Sequence, residues 1–314
     1  MTELAELLSS HPSLLAACVF VFSLMVGSFL NVVIHRLPIM LDREWKAQAR
    51  EVLAELAPAG EHGTPEHQLD VPVAPVERYN LVVPRSRCPK CSAEIKAHQN
   101  IPLVSWLLLG GKCANCQAPI SVRYPVVELL TAILSAAVAV RFGWHWQMLA
   151  ALLFTWALVA LTVIDIDHTL LPDAITLPLL WLGLLLSLFW HPGLTPPAPT
   201  DAKSAIFGAV AGYLVLWLVY WAFKLATGRE GMGYGDFKLL GALGAWMGWQ
   251  VLPLILLLSA FTGAIAGIGL ILIRGRDRNV PMPFGPYLAA AGWIALLWGP
   301  QIMGGYLAFT GLAR

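Results

Sequence analysis

The sequence predicts an all-α polytopic membrane protein of about eight transmembrane helices, with a small polar insert between the first two. Three observations carry that prediction. Hydrophobic residues make up 58% of the 314 and charged residues only 12%, against roughly a quarter charged in a soluble domain. Too few charges are present to cover a water-exposed surface. Those present are segregated, because residues 36–123 hold 11 of the 20 Lys and Arg and 9 of the 19 Asp and Glu. The remainder divides into apolar runs of the length that a hydrocarbon core about 30 Å thick demands. A net charge of +1 gives no reason to expect a nucleic-acid partner.

In order, the runs fall at about 14–35, 124–142, 147–164, 174–190, 204–223, 237–249, 251–273 and 285–310. Within the first, Leu15-Ala16-Ala17-Cys18 imitates a lipoprotein cleavage box. The preceding segment carries Glu3 and Glu6 but no Lys or Arg, and most of the apolar run follows Cys18. A signal peptide needs the opposite arrangement, so Cys18 reads as a thiol buried in lipid. The sixth run is short and Gly-rich, and is expected to be tilted, partly re-entrant or buried among its neighbours. The last contains Pro300 and is expected to stop near Trp298. Trp144, Trp146, Trp190, Trp249 and Trp298 lie near span ends, as interfacial anchors do.

With eight spans, one side of the membrane receives 17 Lys and Arg and the other receives Arg141, Lys203 and Arg314. The positive-inside rule then puts the insert in the cytosol and both termini outside it. Three parts are expected: a first transmembrane helix (1–35), a cytosolic domain (36–123) and a seven-helix membrane domain (124–314). In the cytosolic part, Met40 to Leu56 reads as an amphipathic helix with Leu41, Trp45, Val52 and Leu56 on one face. Residues 57–78, rich in Pro, Ala, His and acid, read as a linker in which His62 and His67 are solvated.

Four of the five cysteines form two knuckles, Cys88-Pro89-Lys90-Cys91 and Cys113-Ala114-Asn115-Cys116. Two Cys-x-x-Cys pairs at this separation match a tetrahedral zinc site. Four thiolates leave no open coordination position, so the expected role is structural. Two disulfides or a redox dithiol are the alternatives, and a reducing compartment disfavours the disulfides.

Ionisable groups inside or at the edge of a span are costly and point to function. Glu128, Asp165, Asp167, Asp173 and Asp236 qualify. Asp165 and Asp167 close the third span, Asp173 opens the fourth, and Asp236 opens the sixth after Gly231-Met232-Gly233-Tyr234-Gly235. The span arithmetic puts both clusters at the cytosolic edge, so carboxylates far apart in sequence can meet there. A close pair resists holding two negative charges and shares a proton. One Asp can then act as base on a water while the other polarises a peptide carbonyl. Capping of a helix N-terminus is the competing account of Asp173 and Asp236, and a solvated interfacial acid that of Asp167. Asp165 ends its helix, where the macrodipole disfavours it. His168 reads as a loop histidine at the headgroup boundary, and Lys238 as a carboxylate partner or a snorkelling lysine. The glycines at 208, 212, 241, 244, 263 and 267 read as close helix contacts.

These segments together resemble the type IV prepilin peptidase family. The resemblance is carried by Gly27-Ser28-Phe29-Leu30-Asn31, the paired knuckles, and Asn100-Ile101-Pro102-Leu103-Val104-Ser105-Trp106. It continues through Gly110-Gly111-Lys112-Cys113, Arg123-Tyr124-Pro125-Val126-Val127-Glu128 and Ile164-Asp165-Ile166-Asp167-His168. It closes with Leu171-Pro172-Asp173, Gly233-Tyr234-Gly235-Asp236 and Pro283-Phe284-Gly285-Pro286-Tyr287. The resemblance implies a Gly-x-Gly-Asp aspartic endopeptidase of the bacterial inner membrane, with Asp165 and Asp236 as its catalytic pair. Its substrates would be prepilins and pseudopilins, cut after a leader-terminal glycine. It also implies methylation of the new N-terminus from S-adenosylmethionine, for which the residues themselves show no fingerprint. Gly111 is the position to which that activity would be assigned first. A proton-coupled transporter with a zinc-stapled gate and a non-enzymatic assembly scaffold are the alternatives. The sequence sets no oligomeric state.

Overall fold

The computed structural model describes residues 2–56, 79–189, 200–274 and 282–311. The expected linker at 57–78, with His62 and His67, lies outside the described residues. So do Trp190, Arg276, Arg278 and Arg314. All eight apolar runs are helical: α2 (Pro12–Leu56), α4 (Arg123–Phe142), α5 (Trp146–His168), α6 (Asp173–Ser187), α7 (Ala202–Thr227), α8 (Tyr234–Met247), α9 (Leu252–Arg274) and α10 (Gly285–Phe309). A short α1 (Thr2–Ser10) precedes them, and α3 (Val104–Leu108) lies in the insert. Among the described residues, five stretches are long and apolar enough to cross a membrane: α2, α4, α5, α7 and Trp249–Leu272, which takes in most of α9. The chain is thus an all-helical protein of membrane character with a four-cysteine module between its first long helices.

Two boundaries differ from expectation. Helix α2 passes residue 35 without a break, through Pro38, and carries the amphipathic stretch to Leu56 as its own extension. Trp45, Val52 and Leu56 on that extension are exposed. Helix α10 does not stop at Trp298 but continues past Pro300 to Phe309. Proline removes one amide donor from a helix interior, and the turns on either side carry the helix across that gap.

Helix α8 is the axis of the bundle. Its 14 residues span about 21 Å at 1.5 Å each, short of a bilayer core, yet ten of them are buried. Among the expected options it takes burial among neighbours. Close approach is what allows this. A Cβ on Gly183 of α6 would sit 2.5 Å from the Trp246 ring, one on Gly212 of α7 would sit 2.6 Å from Leu240 O, and one on Gly292 of α10 would sit 2.6 Å from Leu243. Gly208 of α7 and Gly244 of α8 meet backbone to backbone. Small residues at helix crossings gain van der Waals contact where lipid supplies no hydrophobic drive. The largest buried cluster follows, with Phe237, Leu239, Leu240 and Leu243 of α8 against Phe154 of α5 and Leu288 of α10. Trp246 Nε1 donates to Leu179 O at 2.8 Å, tying α8 to α6.

Candidate active site

Polar contacts gather helix ends at one end of this bundle. Arg123, which opens α4, pairs with Asp167 near the end of α5. Lys238 of α8 donates to both carboxylate oxygens of Asp173, the first residue of α6, at 2.7 Å each. Gly285, which opens α10, donates its amide to Asp165 Oδ2 at 3.0 Å. The turn between α5 and α6 is closed by Thr169, whose left-handed backbone (φ 50°) carries its amide to Asp165 O. That tight reversal keeps residues 165–173 at the same end as the start of α8.

Asp165 and Asp236 converge there. Asp165 is 5% exposed and Asp236 7% exposed, and Asp165 lies near enough for its charge to act on Asp236. Leu171 packs between their supporting turns: a Cβ on Gly235 would lie 2.8 Å from Leu171 Cβ, and one on Gly285 would lie 3.1 Å from its methyls. The same Cβ on Gly285 would lie 2.6 Å from Asp165 Oδ2. Glycine at both positions therefore lets backbone approach the carboxylates. Among the described residues neither carboxylate has a cation within salt-bridge distance, unlike Asp167 and Asp173. Two buried acids without a counter-ion form an arrangement that packing alone does not call for.

The other acids are accounted for by partners. Asp173 does not cap α6, because Pro172 occupies that position and gives no side-chain cap. Its partner is Lys238, 65 residues away. Asp167 is paired with Arg123 and is not merely solvated. His168 belongs to the last turn of α5 rather than to a loop, and its side chain is exposed. Asp165 does meet a helix N-terminus, that of α10, even though it ends its own helix. A backbone donor leaves no side-chain signature, so only the segment 283–287 as a whole marked this contact in the sequence.

The four cysteines of the insert also converge. The Sγ atoms of Cys88, Cys91, Cys113 and Cys116 all lie within 4.8 Å of one another. Cys88 and Cys116 are 3.8 Å apart, which is the edge of a tetrahedron with metal–sulfur bonds of about 2.3 Å. The knuckles share one backbone design. Ser92 N donates to Cys88 O at 2.9 Å and Gln117 N to Cys113 O at 3.0 Å, while Cys88 N reaches Ala93 O and Cys113 N reaches Ala118 O. Ser92 and Gln117, each following the second cysteine, are left-handed at φ 57° and 58°. Asn115 Nδ2 donates to Cys91 Sγ, and with the amide side of the knuckle it lowers the Cys91 thiol to about 6. Backbone amides of Cys116 and Asn115 lower Cys113 as well. Cys116 is pushed the other way, up to about 11, beside its neighbouring thiols; the tetrahedral gathering of four sulfurs, two of which ionise readily, fits a metal ion.

Gly111 is buried at φ 68°, and a Cβ there would meet the Trp106 ring at 2.9 Å. Its carbonyl accepts from Ile120 N at 2.7 Å. The structure thus gives this glycine a conformational reason, and it lies in the cysteine module.

Two family models match the chain, the bacterial peptidase A24 N-terminal domain over residues 21–142 and the type IV leader peptidase family over residues 152–268. A prepilin leader peptidase/N-methyltransferase of Aeromonas salmonicida is 59% identical over 308 residues, covering 98% of this chain and 99% of the relative. Proteins of the same name from Pseudomonas aeruginosa and Xanthomonas campestris are 54% and 46% identical, covering 98% and 97% of this chain and 99% of each relative. No solved structure matches the chain significantly. Neither the relatives nor the gathering of acids at one end of the bundle supports a transporter. With relatives this similar over nearly its whole length, the chain belongs to the type IV leader peptidase family.

Proposed function

We propose that this chain removes the leader from type IV prepilins and pseudopilins and then methylates the new N-terminal amine. The observation that carries the reading is the pair of buried carboxylates at one end of the bundle, with no cation partner among the described residues, in a chain with relatives of that name along its length. Asp165 and Asp236 are the catalytic pair. One takes a proton from water as the oxygen attacks the scissile carbonyl. The other delivers a proton to the carbonyl oxygen; the first then passes its proton to the amide nitrogen as the C–N bond breaks, the second recovers its own from the gem-diol, and the leader carboxylic acid and the mature amine separate. Methyl transfer rests on the relatives' names, which imply a methyl donor of the S-adenosylmethionine kind. The described residues hold no strand–turn–helix cradle, and no step is derived through that donor. Gly111 is the position to vary for this second activity.

Cys88, Cys91, Cys113 and Cys116 hold a zinc ion that staples the module. With four sulfur ligands the ion is closed to substrate, so its contribution is to folding. Helices α2 and α4 to α10 lie in the bacterial inner membrane, with the segment around 36–123 and the carboxylate end cytosolic and both termini periplasmic. The Lys and Arg bias supports that orientation, as does the gathering of Arg123 and Lys238 with the acids. The test is purified protein with a synthetic prepilin, with and without S-adenosylmethionine, read by mass. A leader-sized loss without the donor and a further methyl with it are expected. An intact prepilin in both arms overturns the reading.

A further inference from the structure

Residues 36–123 hold 20 of the chain's 39 charged residues, yet no Asp, Glu, Lys or Arg lies between Lys96 and Lys112. That stretch folds as a small hairpin. Its first limb turns at Leu103 and enters α3, and Gly110 and Gly111, both with positive φ, turn it back under the Trp106 ring. The apolar residues at its tip are not packed inside the module: Leu107 is 69% and Leu108 82% exposed, with Ile101 and Val104 half exposed.

The place of this hairpin is set by one buried contact. Leu103 N donates to Glu128 Oε2 at 2.8 Å. Glu128 is only 8% exposed, and its helix is pressed onto α2 at Gly27, where a Cβ would lie 2.7 Å from Glu128 Cα. Leu103 is held at φ 57°, ψ −49°, with Val104 N bonded to Pro102 O at 2.5 Å. This is the strained three-residue γ-turn, which persists only where its surroundings enforce it. Glu128 lies five residues into α4, about 7–8 Å below its start at 1.5 Å per residue. Arg123 and its partner Asp167 mark the polar level above it. At the depth of Glu128, α4 presents Val126, Leu129 and Leu130 outward. The leucines of α3 thus follow shortly after a turn that is tied to a membrane-spanning helix below its polar rim.

We infer that the hairpin at 101–110 is a membrane-dipping anchor, latched by Glu128, that seats the cysteine module on the bilayer with Leu107 and Leu108 among the lipid acyl chains. The inference needs only that α4 crosses the membrane and stands apart from the peptidase reading. Glu128 is a positioning residue: its carboxylate takes the amide of Leu103 and holds the turn at hydrocarbon depth. Apolar side chains at a bilayer surface gain free energy in proportion to the area they remove from water, which offsets the strain at Leu103.

The experiment uses the full chain, metal-loaded, with Cys18→Ser, in nanodiscs of phosphatidylethanolamine and phosphatidylglycerol. A nitroxide is placed at Leu108→Cys, with Ile133→Cys on α4 as the lipid reference and Glu94→Cys in the module as the water reference. Accessibility to oxygen and to an aqueous nickel chelate is read at each site. The expected result is a Leu108 label that matches Ile133, rich in oxygen and shielded from the chelate. A label that matches Glu94 overturns the anchor. A label shielded from both reagents overturns it in favour of a protein partner. Glu128→Leu is expected to shift the Leu108 label toward the water reference, and Glu128→Gln, which keeps an acceptor oxygen, is expected to restore it. If Glu128→Leu leaves the label in lipid, the latch is wrong.

Discussion

The cysteine module and the helix bundle hold their chemistry in opposite ways. In the module, Cys88 is the sole apolar or thiol side chain counted as buried core between residues 79 and 122 among the described residues, so four sulfurs and two copied knuckle turns do the organising. In the bundle, ten residues of one short helix are buried, and glycines on three neighbours bring backbones together around it. Local covalent spacing fixes the first region; contacts between helices far apart in sequence fix the second. Damage to each should therefore look different.

The largest contrast is expected from metal removal. Structural zinc contributes apparent free energies of about 10–16 kcal/mol to small domains at neutral pH. Cys88→Ser, or a strong chelator, should release the metal and expose residues 79–122 to protease while far-ultraviolet dichroism keeps the helical signal of the bundle. Loss of the bundle signal together with the metal would erase the distinction. Next comes Gly244→Leu, which forces a side chain against the backbone of Gly208. Overpacking costs up to about 3 kcal/mol, read as a lower melting temperature in detergent with metal content unchanged. The smallest effect belongs to the polar rim of the bundle, where α4 meets α5. Arg123→Ala removes a partly exposed ion pair with Asp167, and such pairs contribute about 0.2–1 kcal/mol. A double-mutant cycle with Asp167→Ala should return a coupling within that range.

The same contrast explains what was legible in the sequence. The four-cysteine cluster could be read from spacing, because a Cys-x-x-Cys knuckle is built by residues that are neighbours in the chain. The two carboxylates could be placed at one end of the bundle, because counting spans settles which ends share a side. Their immediate surroundings could not be read. The donor to Asp165 is a backbone amide 120 residues away, and Lys238 chooses Asp173 only after α6 and α8 have packed. The short, Gly-rich α8 could be read as one to bury, but which neighbours enclose it could not, since the glycines at 183, 208, 212 and 292 that admit it belong to other helices. Capping was expected of Asp173 from its place before a helix, but Pro172 holds that place and frees the carboxylate for the lysine.

The central claim is that Asp165 and Asp236 act together on one amide bond. Single-turnover cleavage of a synthetic prepilin by Asp165→Asn and Asp236→Asn, each in bilayers and each checked for wild-type helical content and metal, tests it most directly. A general acid or base is commonly responsible for about 10²–10⁴-fold in rate, and each variant is expected to lose at least that, with the double variant losing little more. Cleavage at the parent rate by either single variant would contradict the account.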